Sequence, residues 1–327
     1  EYIAQKEWMF DPEPHLRLIG DLMEYCNANI PAYKPLSVSG YHIREAGATA
    51  AQELAFTLAD GFAYVELGLS RGLDIETFAP GLSFFFDSHV DFFEEIAKFR
   101  AARRIWARWL RDVYGAKTAK AQSLRFHTQT AGVSLTAQQP YNNVVRTAIE
   151  ALAAVLGGTN SLHTNALDET LALPTDFAAE VALRTQQVIM EETGVTNVAD
   201  PLGGSWYVEA LTDRMEADAE AIFAKIKQLG ALGKQIGDDG RPIHPIGPMT
   251  SGILRGIEDG WFTGEIADAA FQYQLALERG DKRIVGVNCL TESKSTDLEI
   301  LRVSHEVETE QVRALGVRKG ARDAAAA

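Results

Sequence analysis

Cysteine is scarce in this sequence, which has only Cys26 and Cys289 among its 327 residues. Two cysteines so far apart make no disulfide framework, and we therefore expect a reducing, cytoplasmic setting. Positive charge is also scarce, because 31 Lys and Arg are set against 45 Asp and Glu, which gives a net charge of −14. This balance argues against nucleic acid as the main partner, since phosphate contacts need basic patches.

Several familiar motifs are missing as well. No apolar run approaches the roughly 18 residues of a membrane span, so no membrane partner is expected. Residues 40–47 contain glycines but no phosphate-loop pattern, and Gly203-Gly204 is too short for a dinucleotide fingerprint. No Gly-x-Ser-x-Gly elbow supports a serine hydrolase. The seven histidines show neither close pairing nor a Cys/His cluster, and no metal site is predicted.

The first part of the chain, residues 1–196, alternates short strand-like runs with longer helical runs. The pattern predicts four strands, at residues 36–40, 82–86, 123–129 and 161–165. It predicts helices at residues 15–29, 46–60, 62–70, 90–114, 141–156 and 175–193. Strands separated by helices of this length are typical of parallel βαβ units, so the predicted fold class is α/β.

The second part, residues 197–327, is predicted to be a mainly helical extension and linker that packs on the first. A helix is expected at 208–229, a loop at 230–250, a strand at 284–288, and a charged helix from Val303 that still runs at Ala327. Four βα units are half of the eight that close a (β/α)₈ barrel. A barrel therefore requires that its other half lies outside this sequence. A small open sheet is the alternative.

One face of each predicted strand is polar, because successive side chains point to opposite faces. These faces carry Ser37, Ser39, Ser83, Phe85, Ser123, Arg125, His127, Gln129, Ser161, His163 and Asn165. Burying such groups without partners costs about 1–3 kcal/mol each. The pattern therefore predicts a roomy, polar bore that holds an extended polar ligand.

Four histidines lie in or just after the predicted strands, namely His42, His89, His127 and His163. In α/β barrels the catalytic groups gather at the carboxyl ends of the strands, so these histidines are candidates for an active site. For each of these histidines taken alone, a structural role with hydrogen bonds only to the backbone is an equally good interpretation.

Seven motifs, in this order along the chain, resemble the methylmalonyl-CoA mutase family. They are Ser-Gly-Tyr-His-Ile-Arg-Glu-Ala-Gly-Ala (39–48), Phe-Ala-Pro-Gly-Leu-Ser-Phe-Phe (78–85), Arg-Phe-His-Thr-Gln-Thr-Ala-Gly (125–132), Tyr-Asn-Asn-Val-Val-Arg-Thr (141–147), Ser-Leu-His-Thr-Asn-Ala-Leu-Asp-Glu (161–169), Asp-Pro-Leu-Gly-Gly-Ser (200–205) and Val-Gly-Val-Asn (285–288). The resemblance implies that the chain carries the second half, four βα units, of a (β/α)₈ barrel threaded by the pantetheine arm of coenzyme A. It also implies an isomerase that carries out a radical 1,2-rearrangement of an acyl-CoA with adenosylcobalamin as cofactor.

The resemblance also implies roles for individual residues. His42 would hydrogen-bond the thioester carbonyl of the migrating group, and Gln129 would lie in the same catalytic centre. Gly81, Leu82 and Ser83 would line the coenzyme A channel, and Arg125 is grouped with them as substrate-binding. The residues expected to face the adenosyl or corrin side of the cofactor are Glu45, Gly132, Glu169, Thr170 and Leu173.

Two further features of the sequence refine the expected function. The family's carboxylate-binding arginine aligns with Gln5, which cannot give a carboxylate its bidentate partner. This favours an uncharged branched substrate, such as isobutyryl-CoA or 2-hydroxyisobutyryl-CoA, with methylmalonyl-CoA as the alternative. No Asp-x-His-x-x-Gly cobalamin motif is present, so we expect the cobalt ligand from another domain or a small cobalamin-binding subunit in a hetero-oligomer. A non-catalytic coenzyme A-binding scaffold is the alternative of another class.

Overall fold

The protein is described by a computed structural model that covers residues 2–231, 246–292 and 298–322. Within these residues four parallel strands form one sheet, in the order β1-β2-β3-β4. The strands are β1 (Ser37–Ser39), β2 (Ser83–Ser88), β3 (Phe126–Thr130) and β4 (Ser161–His163). Because helices connect successive strands, the predicted α/β class with parallel βαβ units is confirmed.

Twelve α-helices accompany the sheet in the described residues. They are α1 (Pro12–Asn29), α2 (Tyr41–Glu45), α3 (Ala50–Ser70), α4 (Ile75–Phe78), α5 (Phe92–Asp112), α6 (Ala119–Gln122), α7 (Asn142–Leu156), α8 (Asp176–Glu192), α9 (Trp206–Ala231), α10 (Pro248–Glu258), α11 (Trp261–Arg279) and α12 (His305–Gly320). Short 3-10 turns lie at Ala79–Gly81 and Val195–Asn197. No helix in the described ranges is long and apolar enough to cross a membrane.

The two faces of the sheet differ as the alternation in the sequence predicts. Val38, Phe84, Phe86 and Phe126 are buried on one face. The residues between them are half-buried or exposed on the other face, where the register aligns Ser39, Phe85, His127 and Ser161 in one row. The next row brings Asp87, Gln129 and His163 together. One face is therefore closed by packing, and most of the other is available to a ligand.

Aromatic rings fill the space between the closed face and the helices. Phe84 contacts Trp106 of α5 edge-on, with ring centroids 4.8 Å apart, and Phe62 of α3 stacks on the same indole at 5.3 Å. Phe223 of α9 meets Phe62 from the outside at 5.5 Å. Large buried rings of this kind contribute most of the apolar area that stabilises a core. The fold thus has three layers, with the sheet first, α3 and α5 next, and α9 outermost.

Ion pairs join α5 to α9 and the turn before it, along the rim of this core. Arg100 donates to Asp200 and Glu209 at 2.6 Å each, and Arg108 contacts Glu216 and Glu220. Pairs this close to the surface contribute little individually, about 0–1 kcal/mol. Together they set the orientation of α9 on α5, although they contribute little to the stability of the contact.

Several predicted elements differ from the structure. The two helices predicted at 46–60 and 62–70 are one continuous helix, α3 (Ala50–Ser70), and residues 46–49 precede it. The helix starts at Ala50 because Thr49 and Gln52 form a capping box. The strand predicted at 284–288 is wrong, since this segment is a turn in which the side chain of Asn288 accepts the Ile284 N–H at 2.7 Å.

The boundaries of three other predictions also shift. The last helix ends at Gly320 and does not run to Ala327; residues 323–327 lie outside the described ranges. The loop predicted at 230–250 is shorter than expected, because α10 starts at Pro248; within it, residues 232–245 lie outside the described ranges. The third strand was predicted to start at residue 123 but starts at Phe126. The short helix α6, at residues 119–122, lies before it.

Close packing of α9 on α10 leads to a first prediction. A Cβ atom added at Gly252 would overlap the backbone carbonyl oxygen of Ile226, whereas one at Gly264 of α11 would enter open space. We expect Gly252→Ala to lower the free energy of unfolding by about 1–3 kcal/mol through overpacking. Gly264→Ala is the matched control, and should raise that free energy by up to about 1 kcal/mol. Thermal unfolding followed by circular dichroism measures both, and equal effects would contradict the packing described.

Candidate active site at the carboxyl ends of the strands

A short helix places three polar side chains directly after the first strand. The Gly40 N–H donates to the Phe85 carbonyl at 2.8 Å, and α2 begins at the next residue. The helix thus starts at the carboxyl edge of the sheet, where its residues Tyr41, His42 and Glu45 are half-buried. This edge is the place where parallel α/β proteins gather their functional groups.

Tyr41 and Gln129 form the centre of a hydrogen-bonded network at this edge. The Gln129 side-chain amide donates to the Tyr41 hydroxyl at 2.9 Å and to Asn165 Oδ1 at 2.8 Å. Asn165, which is buried, donates its own amide to the Thr130 carbonyl at 2.8 Å. Burial and the nearby Glu45 carboxylate raise the pKa of Tyr41 above its ordinary value, so its hydroxyl stays protonated. The network holds Gln129 in one orientation on the open face.

Glu45 connects α2 to the loop after β3. Its Oε1 atom accepts the backbone N–H groups of Gly132 at 2.9 Å and Val133 at 3.1 Å. A Cβ atom at Gly132 would lie 2.9 Å from Glu45 Oε2 and 3.4 Å from the Asn165 amide nitrogen. Only glycine therefore leaves this small polar space open. Glu45 and Gly132, which the sequence predicted to share the cofactor-facing side, are in direct contact.

His42 lies on the other side of α2, beside a cavity of about 340 Å³. Its Nδ1 atom is 3.3 Å from the hydroxyl of Ser39, and Ser37 and Ser39 of β1 line the same cavity. The histidine is half-buried, so its ring is held by the protein while one edge can still meet a ligand. A neutral imidazole in this setting can donate one hydrogen bond to a carbonyl oxygen.

The other predicted histidines lie further along the sheet. His127 Nδ1 is 2.7 Å from the Ser161 hydroxyl, and the edge of its ring meets Phe85. Burial and the neighbouring His163 lower the pKa of His127. His89 is different, because burial lowers its pKa to about 3 and its Nδ1 accepts the Val90 N–H. His89 is therefore a neutral structural histidine, as the alternative interpretation allowed.

Glu169 follows β4 on the same side of the sheet as Glu45. Partial burial raises its pKa, the nearby His163 opposes this shift, and the charge of Glu45 adds to it. Thr170 and Leu173 belong to the same turn and are exposed. Of the five residues expected to face the cofactor, Glu45 and Gly132 are in direct contact, and Glu169 is close enough to feel the charge of Glu45. Glu169, Thr170 and Leu173 are all exposed.

The predicted substrate-binding residues are scattered over a wider area. Gly81 and Ser83 are half-buried at the start of β2, where the Ser83 hydroxyl donates to the Leu36 carbonyl at 3.1 Å. Leu82 is buried in the apolar core, so its side chain does not face the open side of the sheet. Arg125 is exposed just before β3, and Gln5 lies in an exposed turn before α1. The structure does not bring Gln5 into contact with His42 or Gln129.

A cluster of buried charges lies behind the site. The Lys98 ammonium group donates to Glu53 at 2.6 Å and also to Glu95, and all three side chains have no exposed surface. Arg44 lies 3.8 Å from Glu53 and 3.5 Å from Glu95. Burial raises the pKa of Glu53 to about 7, although Lys98 opposes this shift. The cluster fixes α2, α3 and α5 against the end of β2.

Sequence reasoning missed three residues of this site. Tyr41 stands next to His42 in the motif at residues 39–48, and Asn165 was predicted to lie on the polar face of the sheet. Neither residue was predicted to take part in the site. Asp87 was missed because a lone aspartate at a strand end gives no periodic signal. No group of three or more His, Cys, Asp or Glu side chains that could hold a metal ion occurs in the part of the chain that the structure describes.

The fold is that of a parallel α/β protein, consistent with part of a (β/α)₈ barrel, with a polar candidate site at the carboxyl ends of its strands. The family model for methylmalonyl-CoA mutase matches residues 1–247 and 243–327. The chain therefore belongs to the methylmalonyl-CoA mutase family. This confirms the resemblance seen in the motifs.

Individual relatives are similar over most of the chain. It is 42% identical over 325 residues to a probable mitochondrial methylmalonyl-CoA mutase of Caenorhabditis elegans, covering 99% of this chain and 41% of that protein. It is 45% identical over 294 residues to the 2-hydroxyisobutanoyl-CoA mutase large subunit of Aquincola tertiaricarbonis, covering 90% and 49%. The methylmalonyl-CoA mutase of Escherichia coli is 42% identical, covering 100% and 43%. The chain thus spans less than half the length of these relatives.

Proposed function

We propose that the full-length protein is the large subunit of an adenosylcobalamin-dependent mutase that rearranges the carbon skeleton of an acyl-CoA. The observation that carries this proposal is the position of His42 and Gln129, which lie at the carboxyl edge of one parallel sheet whose open face is polar. Membership of the family supports the reaction class, because the relatives described above are named mutases.

His42 is the residue proposed to act on the thioester. It would donate a hydrogen bond to the thioester carbonyl oxygen and stabilise the charge that this oxygen gains as the acyl carbon migrates. The Ser39 hydroxyl, 3.3 Å from Nδ1, fixes the ring. Gln129, held by Tyr41 and Asn165, would contact the acyl group from the neighbouring strand.

The open face of the sheet would receive the pantetheine arm. Side chains such as Ser37, Ser83 and Ser161 are small and polar, so they leave room and offer hydrogen bonds. Gly81 and Ser83 at the start of β2 would lie along the arm, and Arg125 would contribute a positive charge for the phosphate end. The side chain of Leu82 stays in the core in this proposal.

The residues around Gly132 fit a cofactor on the far side of the site. The space between Glu45, Asn165 and Tyr41 is one that any Cβ atom at position 132 would fill, and it is lined by polar atoms. Glu45, Gly132 and Glu169 would hold the adenosyl part, with Thr170 and Leu173 at the exposed rim. When bound, adenosylcobalamin supplies the radical that starts the rearrangement. The protein positions the acyl group and excludes water.

The proposed partner is the source of the cobalt ligand. No cobalamin motif occurs in the sequence, so we propose a separate small subunit or a further domain as the source of the cobalt ligand, in a hetero-oligomer. We also propose the division into residues 1–196 and 197–327, because the four strands lie in the first part and helices follow in the second. A cytoplasmic location stays a prediction, because one relative is named mitochondrial.

The most specific part of the proposal is the identity of the acyl-CoA substrate. With Gln5 in place of an arginine, we propose an uncharged branched acyl-CoA, either isobutyryl-CoA or 2-hydroxyisobutyryl-CoA. The similarity to a 2-hydroxyisobutanoyl-CoA mutase large subunit supports this substrate. Methylmalonyl-CoA is the second candidate, because most of the relatives bear that name.

A comparison of substrates tests this choice. For the full-length protein with its cobalamin-binding partner and adenosylcobalamin, we expect kcat/KM to be higher for isobutyryl-CoA or 2-hydroxyisobutyryl-CoA than for methylmalonyl-CoA. Gln5→Arg should shift the preference toward methylmalonyl-CoA, because a guanidinium binds a carboxylate through two parallel hydrogen bonds. Gln5→Lys is the matched control, since it adds the same charge without the planar fork. The highest kcat/KM for methylmalonyl-CoA in the unaltered protein would overturn the assignment.

A further inference from the structure

Two sequence motifs to which the proposed function assigns no residue meet at the carboxyl edge of the sheet. One is the motif at 141–147, which begins α7 directly after the loop that follows β3 (residues 131–141). The other is the motif at 285–288, which lies in a turn (residues 284–290) after α11, in the second part of the chain. The loop also carries Gly132 of the candidate site, so the contact between the two motifs bears on that site.

Arg146 of α7 bonds to the loop and to the turn at once. Its terminal nitrogen Nη1 donates to the Thr136 hydroxyl at 2.9 Å and to Asn143 Oδ1 at 2.8 Å. The other terminal nitrogen, Nη2, donates to the Val285 carbonyl of the turn at 2.8 Å. A guanidinium suits this bridge because its donors are held in one rigid plane and point in different directions.

A second contact joins the same two segments. The Gln139 side chain donates to the Leu290 carbonyl at 2.9 Å, and its own oxygen accepts from the Asn142 amide at 2.9 Å. Gly286, which is buried, lies against this glutamine, since a Cβ atom added there would be 3.1 Å from Gln139 Cδ. The turn is therefore fixed on the loop at both of its ends, through the carbonyls of Val285 and Leu290.

The turn is closed by its own hydrogen bonds and is tied to α11. The Asn288 side chain accepts the Ile284 N–H at 2.7 Å and donates to the carbonyls of Leu277 and Lys282 at 3.0 and 2.8 Å. A segment that is already ordered in this way loses little further conformational entropy when it contacts another part of the chain. The turn can therefore act as an anchor for the loop.

The loop connects this anchor to the candidate site over a short distance along the chain. The Leu135 N–H donates to the Gly132 carbonyl at 3.0 Å, so residues 132–135 form a turn that ends beside Thr136. At the other end of this turn, the Gly132 N–H donates to Glu45. A displacement of Thr136 would therefore reach Gly132 and its contact with Glu45.

Asn143 extends the same arrangement to the fourth strand. It is buried, and its amide donates to the Thr136 carbonyl and to the Leu167 carbonyl, at 2.9 Å each. Leu167 lies two residues before Glu169, in the segment that follows β4. Because Asn143 also accepts from Arg146, the loops after both strands are joined to the turn through one pair of side chains on α7.

We propose that Arg146 is a positioning residue, which clamps the turn 284–290 onto the loop after β3 and thereby fixes Gly132 in the space that the proposed function assigns to the cofactor. The second part of the chain then supports the candidate site through the turn. The proposal rests on the proposed function only for the effect on cofactor binding, because the clamp itself consists of contacts within this chain.

The first test measures amide hydrogen exchange by mass spectrometry and needs neither substrate nor cofactor. In the full-length protein, Arg146→Met should raise the exchange rate of residues 131–141 by about 2–30-fold, the range expected when one coupling contact is lost. Arg255→Met is the matched control, because Arg255 pairs with Glu258 and Asp259 on and next to its own helix. The control should leave exchange in residues 131–141 unchanged, and an unchanged rate in Arg146→Met would overturn the proposal.

The second test makes the change in the turn and follows the same loop. Asn288→Ala opens the turn from within and leaves every residue of the loop in place. We expect exchange in residues 131–141 to rise in this variant too, and the double variant with Arg146→Met to exchange little faster than either single variant. Should Arg146→Met fail to fold, Gln139→Ala replaces it, since it removes the bond to Leu290. Effects that multiply in the double variant would contradict a shared clamp.

The third test separates the clamp from the proposed function. For the full-length protein with its cobalamin-binding partner, Arg146→Met should raise the Kd for adenosylcobalamin by about 2–30-fold, followed through the corrin absorbance. Faster exchange with an unchanged Kd would support the clamp and contradict the assignment of Gly132 to the cofactor. A raised Kd without faster exchange in residues 131–141 would contradict the clamp, whatever reaction the protein catalyses.

Discussion

Replacing His42 by alanine is expected to lower kcat by about 10²–10³-fold, the usual cost of removing one hydrogen-bond donor to a developing oxyanion. Binding of coenzyme A should change far less, since the histidine contacts only the acyl end of the ligand. The measurement is steady-state turnover of the full-length protein with its cobalamin-binding partner and adenosylcobalamin, together with the affinity for coenzyme A.

His305→Ala is the matched control for this prediction. His305 lies at the start of α12, where its side chain is fully exposed and 3.8 Å from Glu308. Turnover of this variant should equal that of the unaltered protein. An unchanged kcat in His42→Ala would return His42 to a structural role beside Ser39 and would leave the proposed reaction without its thioester-binding group.

Replacing Lys98 by methionine is expected to lower the free energy of unfolding by about 3–5 kcal/mol. Glu53 and Glu95 would be left as buried carboxylates without their ammonium partner, and Glu53 would lose a hydrogen bond of 2.6 Å. Chemical denaturation followed by tryptophan fluorescence measures the effect, because Trp106 and Trp109 are buried in the adjacent core.

Arg184→Met is the control for the buried cluster. Arg184 is exposed and pairs with the exposed Glu180 at 3.3 Å on the surface of α8. Its loss should cost no more than about 1 kcal/mol, because exposed ion pairs are solvated and screened. Equal effects of the two substitutions would mean that the interior around Lys98 is wetter than its complete burial indicates.

The parallel sheet was predictable because its signal is local. Each strand alternates small polar with large apolar residues, and the apolar positions Val38, Phe84 and Phe126 are the buried ones. The segment 284–288 carries similar apolar residues, yet it forms a turn. There Gly286 adopts a φ of +85° and Asn288 bonds back to the chain, and a two-residue alternation cannot distinguish this turn from a strand.

The site was predictable in part for the same reason. His42, Glu45 and Gln129 lie in motifs that stand at strand ends, and the ends of parallel strands meet at one edge. The hydrogen bond from Gln129 to Tyr41 depends on how α2 folds onto the sheet, which no local pattern encodes. For Gln5, the predicted role in substrate binding comes only from the family resemblance. The structure places this residue in an exposed turn.

The open side of the sheet links the fold to the proposed reaction. Within the described residues β1 pairs only with β2 and β4 only with β3, so both edges of the sheet present unpaired backbone groups. Exposed edges of this kind favour pairing with further strands. Four more strands would complete a barrel around the polar face, and the ligand would then lie inside it.

The most direct test of this account is to follow the carbon skeleton of the acyl group. A branched acyl-CoA with isotope labels on the thioester carbonyl carbon and on the carbon bonded to it is incubated with the full-length protein, its cobalamin-binding partner and adenosylcobalamin. Nuclear magnetic resonance then detects whether the two labels are still coupled through one bond. We predict that the coupling is lost in the product, because the thioester carbon migrates to the neighbouring methyl carbon. A preparation that binds coenzyme A and adenosylcobalamin but leaves the labels coupled would contradict the account and would favour a non-catalytic scaffold.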